Sequence, residues 1–210
     1  SVPIALALKS VAKAFALHIQ NPKVPKERFD LIAAPLHDGY TGRNVINTFG
    51  AVHSVTPKRL ADAAQSFAAK IDHLPRPRIA VLLGGDSAAF SFPPDLAASF
   101  GASLAEAARD RGGSLLVTPS RRTSPEALRA LVAPIGSVPH FVWDGTGENP
   151  YYAFLATADA IVTTEDSVNM VTEAAGTGKP VYVQRLKGSS TRLGRFHELM
   201  RERGATRPFA

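Results

Sequence analysis

The chain has 210 residues, of which 45% are hydrophobic and 20% charged, and it contains no cysteine. That length can bury a core as one domain, or as one domain with part of a second, and the lack of cysteine excludes disulfide scaffolds, thiolate metal sites and cysteine nucleophiles while fitting a reducing compartment. The balance of 24 Lys and Arg against 18 Asp and Glu gives a formal charge of +6; with basic residues scattered in tracts no longer than Arg121-Arg122, phosphate on a small molecule is at least as good a partner as nucleic acid.

The N-terminal third has a helix-like start, an apolar run at residues 15–19 and a second at 31–34, followed by a loop over 35–56. Two strands and a helix are too few to close a core. The opening Ser1-Val2-Pro3-Ile4 has no initiator Met and no basic leader, so the expectation is a chain that begins inside a longer protein, with apolar sheet edge exposed in its first 56 residues. Thr56-Pro57 is a cap followed by an N1 proline and predicts a helix to Ile71. Residues 73–78, with Pro75 and Pro77, read as a hinge.

From Pro77 onward, short apolar runs alternate with helix-length segments, the rhythm of a parallel sheet with crossover helices. Strands are expected at residues 79–83, 114–117, 140–143, 160–163 and 180–183, and helices at 95–111, 124–132, 149–156 and 167–176. The strands do not alternate strictly between apolar and polar residues, as expected when both faces are covered. A last amphipathic helix over 191–203 gathers Leu193, Phe196, Leu199 and Met200 on one stripe. The organisation expected is a partial N-terminal domain (1–56), a linker helix and hinge (57–76), a nucleotide-binding domain (77–190) and a C-terminal helix and tail (191–210). No apolar run approaches the roughly 20 residues that a membrane-spanning helix needs.

Ligands of open parallel sheets bind at the carboxyl ends of the strands, near a topological switch point. No G-x-G-x-x-G follows a strand, and no His or carboxylate cluster has metal spacing. Gly176-Thr177-Gly178-Lys179 imitates the end of a phosphate-binding loop but follows a helix and precedes Pro180, so it is set aside. The most informative segment is 163–181. There a strand enters a hydroxyl-rich turn and a helix, whose free N–H groups near Ser167 and Val168 suit a diphosphate. Asn169 and Glu173 share one helix face, and a carboxylate at that position can accept two hydrogen bonds from a ribose diol; a solvated Glu173 with Ser167 as a simple cap is the alternative.

This segment resembles the donor-binding segment of GT-B glycosyltransferases. Several blocks are also similar to the plant mitochondrial fission (elongated-mitochondria) proteins and their proteobacterial relatives, described as GT-B-type glycosyltransferases. They are His18-Ile19-Gln20-Asn21-Pro22-Lys23, His37-Asp38-Gly39-Tyr40-Thr41-Gly42-Arg43-Asn44-Val45-Ile46, Val117-Thr118-Pro119-Ser120-Arg121-Arg122-Thr123, Trp143-Asp144-Gly145 with Gly147-Glu148-Asn149-Pro150-Tyr151, and residues 165–181. The resemblance implies an α/β, GT-B-like fold: a C-terminal Rossmann-like domain for a nucleotide diphosphate sugar and an incomplete N-terminal Rossmann-like domain for the acceptor. It implies no cofactor and no metal, and no nucleic acid as partner.

Carried over, Ser167, Val168 and Asn169 would face the donor diphosphate and Glu173 the ribose. Gly84 and Gly85 would admit phosphate close to the backbone. Thr118 would lie at the donor, and Arg121 and Arg122 would neutralise the leaving diphosphate, unless they are simple surface charge. The segment around Trp143 lies where such proteins hold the base, though Trp143 serves equally as core. His37 with adjacent Asp38 is the candidate general base, with a loop-forming Asp38-Gly39 and a packing His37 as the alternative; neighbours in sequence are expected to point different ways. Three functions follow: a transferase acting on an unknown, envelope-associated acceptor; a non-catalytic adaptor for membrane or protein partners; or a nucleotide-sugar epimerase. The expected location is the cytoplasm, with room for peripheral association at the inner face of the membrane.

Overall fold

The computed structural model describes residues 2–209, which form two compact units divided between Val52 and His53. In the first, α1 (Val2–Ala12) buries none of its residues. Three parallel strands, β1 (Leu17–Ile19), β2 (Leu31–Pro35) and β3 (Val45–Thr48), pair in sequence order. Their core is a small cluster of Phe29, Ile32 and Ala34. Ile4, Leu8, Val11, Phe15, Leu17, Ile19 and Ile46 remain exposed, as expected of a sheet with little to cover it.

Strand β3 is a correction, because residues 35–56 read as loop. Its Val-Ile-Asn-Thr sequence buries no side chain fully, so no apolar pattern marks it. Backbone pairing to β2 holds it, helped by Asn44 Nδ2 donating to the Lys26 and Phe29 carbonyls at 2.8 and 2.9 Å. Asn47 Nδ2 donates to the Ala34 and Tyr40 carbonyls at 3.2 and 2.9 Å.

The second unit contains α2 (Pro57–Ile71), β4 (Arg78–Leu83), β5 (Phe90–Ser91), α3 (Pro94–Arg109), β6 (Ser114–Pro119), α4 (Pro125–Val132) and β7 (His140–Val142). It continues with α5 (Tyr151–Thr157), β8 (Ala160–Thr164), α6 (Val168–Ala175), β9 (Val181–Gln184), β10 (Lys187–Gly188), α7 (Thr191–Glu202) and β11 (Arg207–Pro208). Six strands form a parallel sheet in the order β11-β9-β8-β4-β6-β7. The chain starts at central β4, moves outward through β6 to β7, then returns to the other side of β4 with β8. The switch point therefore lies between β4 and β8.

Residues of β4 alternate between the two faces of this sheet. Ile79, Val81 and Leu83 pack under α3 and α4 with Phe100, Leu104 and Leu131, while Ala80 and Leu82 pack under α2 and α5 with Phe67, Ile71 and Phe154. Full burial of each large side chain contributes about 1.5–3 kcal/mol. Helix α2, expected as a linker, is thus part of the second unit's core. Helix α7 lays Phe196 and Met200 against Val171 and Val183, so its apolar stripe is spent on packing.

Side-chain caps set the helix starts: Thr56, Ser124, Ser167 and Ser190 accept from the N–H of Arg59, Ala127, Met170 and Leu193. Asn149 Oδ1 accepts from Tyr151 N at 2.9 Å, and α5 begins at Tyr151 with Pro150 in the cap position. Lys179, set aside as a phosphate ligand, donates through Nζ to the Leu155 and Ala156 carbonyls at the end of α5.

Candidate functional site

At the carboxyl ends of β4 and β8 the backbone and side chains interlock. Gly84 N donates to Thr164 Oγ1 at 2.7 Å, and Gly85 N to Asp166 Oδ2 at 3.2 Å. The Asp166 carboxylate, fully out of solvent, also accepts from Thr164 Oγ1 at 2.6 Å and from Arg122 Nη2 at 2.6 Å. Thr123 Oγ1 donates to the Gly84 carbonyl. A Cβ on Gly84 would overlap the Asp166 carboxylate, and one on Gly85 would overlap the Arg122 carbonyl. The two glycines are therefore required by packing within the site.

This network changes the role of Arg122. It is not simple surface charge: whatever it contributes toward a diphosphate, its guanidinium pairs with a buried carboxylate. Arg121 is exposed beside it. Thr118 is buried in β6, in register with Leu82. Ser167 caps α6, Val168 packs against the α7 cluster, and Asn169 is exposed in the first turn of the helix.

Glu173 lies on the same helix face as Asn169 and is not a solvated surface residue. Its Oε2 accepts from Tyr151 Oη at 2.6 Å, and burial together with the adjacent carboxylate pushes the Tyr151 phenol pKa up. Both residues line a cavity of about 720 Å³ with Arg59, Ser66, Asn149 and Tyr152. The Arg59 guanidinium stacks 3.8 Å above the Tyr152 ring, a cation–π contact that places a flat, polar-edged surface in that cavity. Trp143 is half-buried and donates from Nε1 to the Thr146 carbonyl at 2.7 Å. That bond and the Asp144 cap on Thr146 shape the loop that brings Glu148 and Asn149 to the cavity.

His37 and Asp38 belong to the first unit. A 3-10 turn over Leu36–Asp38 follows β2 and brings His37 Nε2 within 3.5 Å of Asp38 Oδ1, so these neighbours face each other rather than apart. The His37 side chain is 1% exposed and that of Asp38 12%. Gly39 takes the left-handed conformation that ends the turn, with φ 63°. His18 is half-buried and stacks on Phe29 at 4.9 Å between ring centroids.

Sequence reasoning missed Asp166, Thr164, Tyr151, Arg59 and Tyr152. Asp166 and Tyr151 stand inside motif blocks already singled out, and only their neighbours were chosen. Arg59 and Tyr152 are far apart in sequence, with nothing in the pattern to join them.

The model of one protein family, described as mitochondrial fission ELM1, matches residues 1–210. The chain belongs to the mitochondrial fission ELM1 family. The mitochondrial fission protein ELM1 of Arabidopsis thaliana is 31% identical over 235 residues, covering 100% of the chain and 55% of that protein. The chain spans about half the length of the curated relatives it matches. Among solved structures, the UDP-GlcNAc 2-epimerase of Methanocaldococcus jannaschii superposes with a TM-score of 0.57 at 13% identity, covering 100% of this chain and 63% of that one. The ADP-heptose lipopolysaccharide heptosyltransferase II of E. coli gives 0.53 at 12%, covering 97% and 75%. These likenesses establish the fold of this ELM1-family chain as α/β and GT-B-like.

Proposed function

We propose that the second unit binds a nucleoside diphosphate sugar, and that the chain acts as part of a GT-B-type glycosyltransferase with no metal or other cofactor. The observation that carries this reading is the alignment of three features along α6. The Gly84-Gly85 turn and the capped helix start lie at the switch point, and Glu173 opens on the adjoining cavity. From Ser167 to Glu173 the helix rises about 9 Å, a span that suits a diphosphate at one end and a ribose at the other. Helix N–H groups and exposed Arg121 supply positive potential for the diphosphate. Glu173 Oε1 supplies an acceptor for the ribose diol, and the Tyr151 oxygen, whose hydrogen is given to Glu173 Oε2, supplies a second.

In the proposed transfer an acceptor hydroxyl attacks the anomeric carbon, the bond from that carbon to the diphosphate oxygen breaks, and the electron pair leaves with the diphosphate. The hydroxyl proton passes to a base from the His37–Asp38 pair, with Asp38 as its more accessible member. Sharing of the donor site with an epimerase leaves that reaction as the variant in which no acceptor is used. The adaptor reading draws support from the exposed Ile4, Leu8 and Val11 on α1, a surface suited to peripheral membrane or protein partners. Among the described residues no helix is long and apolar enough to cross a membrane.

A thermal-shift panel of nucleoside diphosphates and their sugars tests the proposal. At least one member raises the melting temperature, and Glu173→Ala abolishes the rise. A panel without any stabilisation removes the transferase and epimerase readings together and leaves the adaptor.

A further inference from the structure

A second cavity, of about 340 Å³, lies beside the end of β9, walled by the segment leading to α7, by α7 itself and by β11. It shares no lining residue with the Glu173 cavity. Arg185, Arg201 and Arg207 line it on exposed residues, and among the described residues none of the three makes an ion pair. The acidic lining residue, Glu165, already accepts through Oε1 from the Leu186 N–H at 2.6 Å.

Two of the lining residues, His197 and Thr206, only 6% and 3% exposed, each carry a buried polar atom with no hydrogen-bond partner, Nδ1 and Oγ1. Buried polar atoms are unfavourable when left unpaired, so two together in one cavity point to a ligand. His197 Nε2 lies 2.8 Å from the Glu165 carbonyl. A carbonyl only accepts, so Nε2 carries the hydrogen, and in the neutral ring Nδ1 is an acceptor. Burial lowers the His197 pKa and favours that neutral ring. A fitting ligand therefore brings negative charge for the guanidiniums and a hydrogen for Nδ1. A phosphate group retaining one proton brings both, whereas sulfate brings only the charge.

We propose that this cavity binds a phosphate group, as inorganic phosphate or as a small phosphomonoester. Arg185, Arg201 and Arg207 hold its charge, Thr206 Oγ1 donates to a phosphate oxygen, and His197 Nδ1 accepts from the P–OH. The start of α7, with Ser189, Ser190 and Gly194 on the wall, adds the partial positive charge of a helix N-terminus. The site stands apart from the nucleotide reading and does not depend on it.

Calorimetric titration of the full chain with inorganic phosphate, glycerol phosphate and sulfate tests this, at low salt and about pH 6, near the second pKa of a phosphomonoester. One-to-one binding is expected, with sulfate at least about tenfold weaker, the worth of one charge-assisted hydrogen bond. Tighter binding of glycerol phosphate identifies an ester ligand, and equal or weaker binding identifies the free ion. Thr206→Val should keep or raise the melting temperature, because it deletes an unpaired hydroxyl, yet weaken phosphate about tenfold. Arg201→Gln should weaken it as well, while Glu173→Ala should leave it unchanged. Absence of binding by both phosphates, sulfate binding as tightly as phosphate, or unchanged affinity in Thr206→Val would each overturn the proposal.

Discussion

Replacing Arg122 by Gln tests whether the switch point is built around a buried charge. The Asp166 side chain is 0% exposed and that of Arg122 40%, so solvent reaches one partner and not the other. Stripping the partner from a fully buried pair costs about 3–5 kcal/mol; water admitted where the guanidinium stood places this case at about 3. For a domain of 150–250 residues that corresponds to a fall in melting temperature of roughly 6–12 °C. Asp166→Asn should cost a similar amount, since its amide presents hydrogens to Arg122 or to Thr164, where the carboxylate offered only lone pairs. The double variant discriminates: with both charges gone, no carboxylate is stranded, and its cost should fall short of the sum of the singles by at least about 1 kcal/mol. Denaturant unfolding of the four proteins measures this coupling. Single-variant costs under about 0.5 kcal/mol, typical of surface substitutions, would refute the reasoning and return Arg122 to the status of a surface charge.

Two further outcomes follow from packing and from burial. Gly101 sits in α3 where a Cβ would overlap the Leu131 carbonyl of α4. Gly101→Ala gains about 1 kcal/mol of helix propensity but loses about 3 to overpacking against backbone, so a net loss of about 2 is expected in denaturant unfolding, and a gain would contradict the close helix approach. The raised Tyr151 pKa makes stability fall with alkali: the unfolded phenol releases its proton near about pH 10 while the native one keeps it, so the native state binds more protons above that pH. Unfolding measured between about pH 9 and 11 should show this decline, flattened in Tyr151→Phe.

The order of parallel strands and crossover helices in the second unit was legible because each strand is a short apolar run and each helix opens on a hydroxyl or proline signal. Thr56, Ser124, Ser167 and Ser190 work as caps from local chemistry alone, which sequence displays directly. The candidate site was legible to the same depth. Ser167 and Glu173 stand on one helix at spacings that sequence sets, and the meeting of the turn before that helix with Gly84-Gly85 follows from strand order at a switch point.

What sequence could not display were pairings made across the fold. Strand β3 carries no apolar alternation, because backbone bonds and two asparagine amides hold it in place of buried side chains. Arg122 and Asp166, 44 positions apart in the chain, meet because β6 and β8 flank β4 in the same sheet. Tyr151 reaches Glu173 across 22 positions because α5 and α6 lie side by side in the fold. The composition with which the chain is first met, +6 in charge, determined only that cations are in excess. Only the tertiary structure decided which of those cations are committed to the protein's own carboxylates, since that depends on what the packed strands and helices bring within hydrogen-bonding distance.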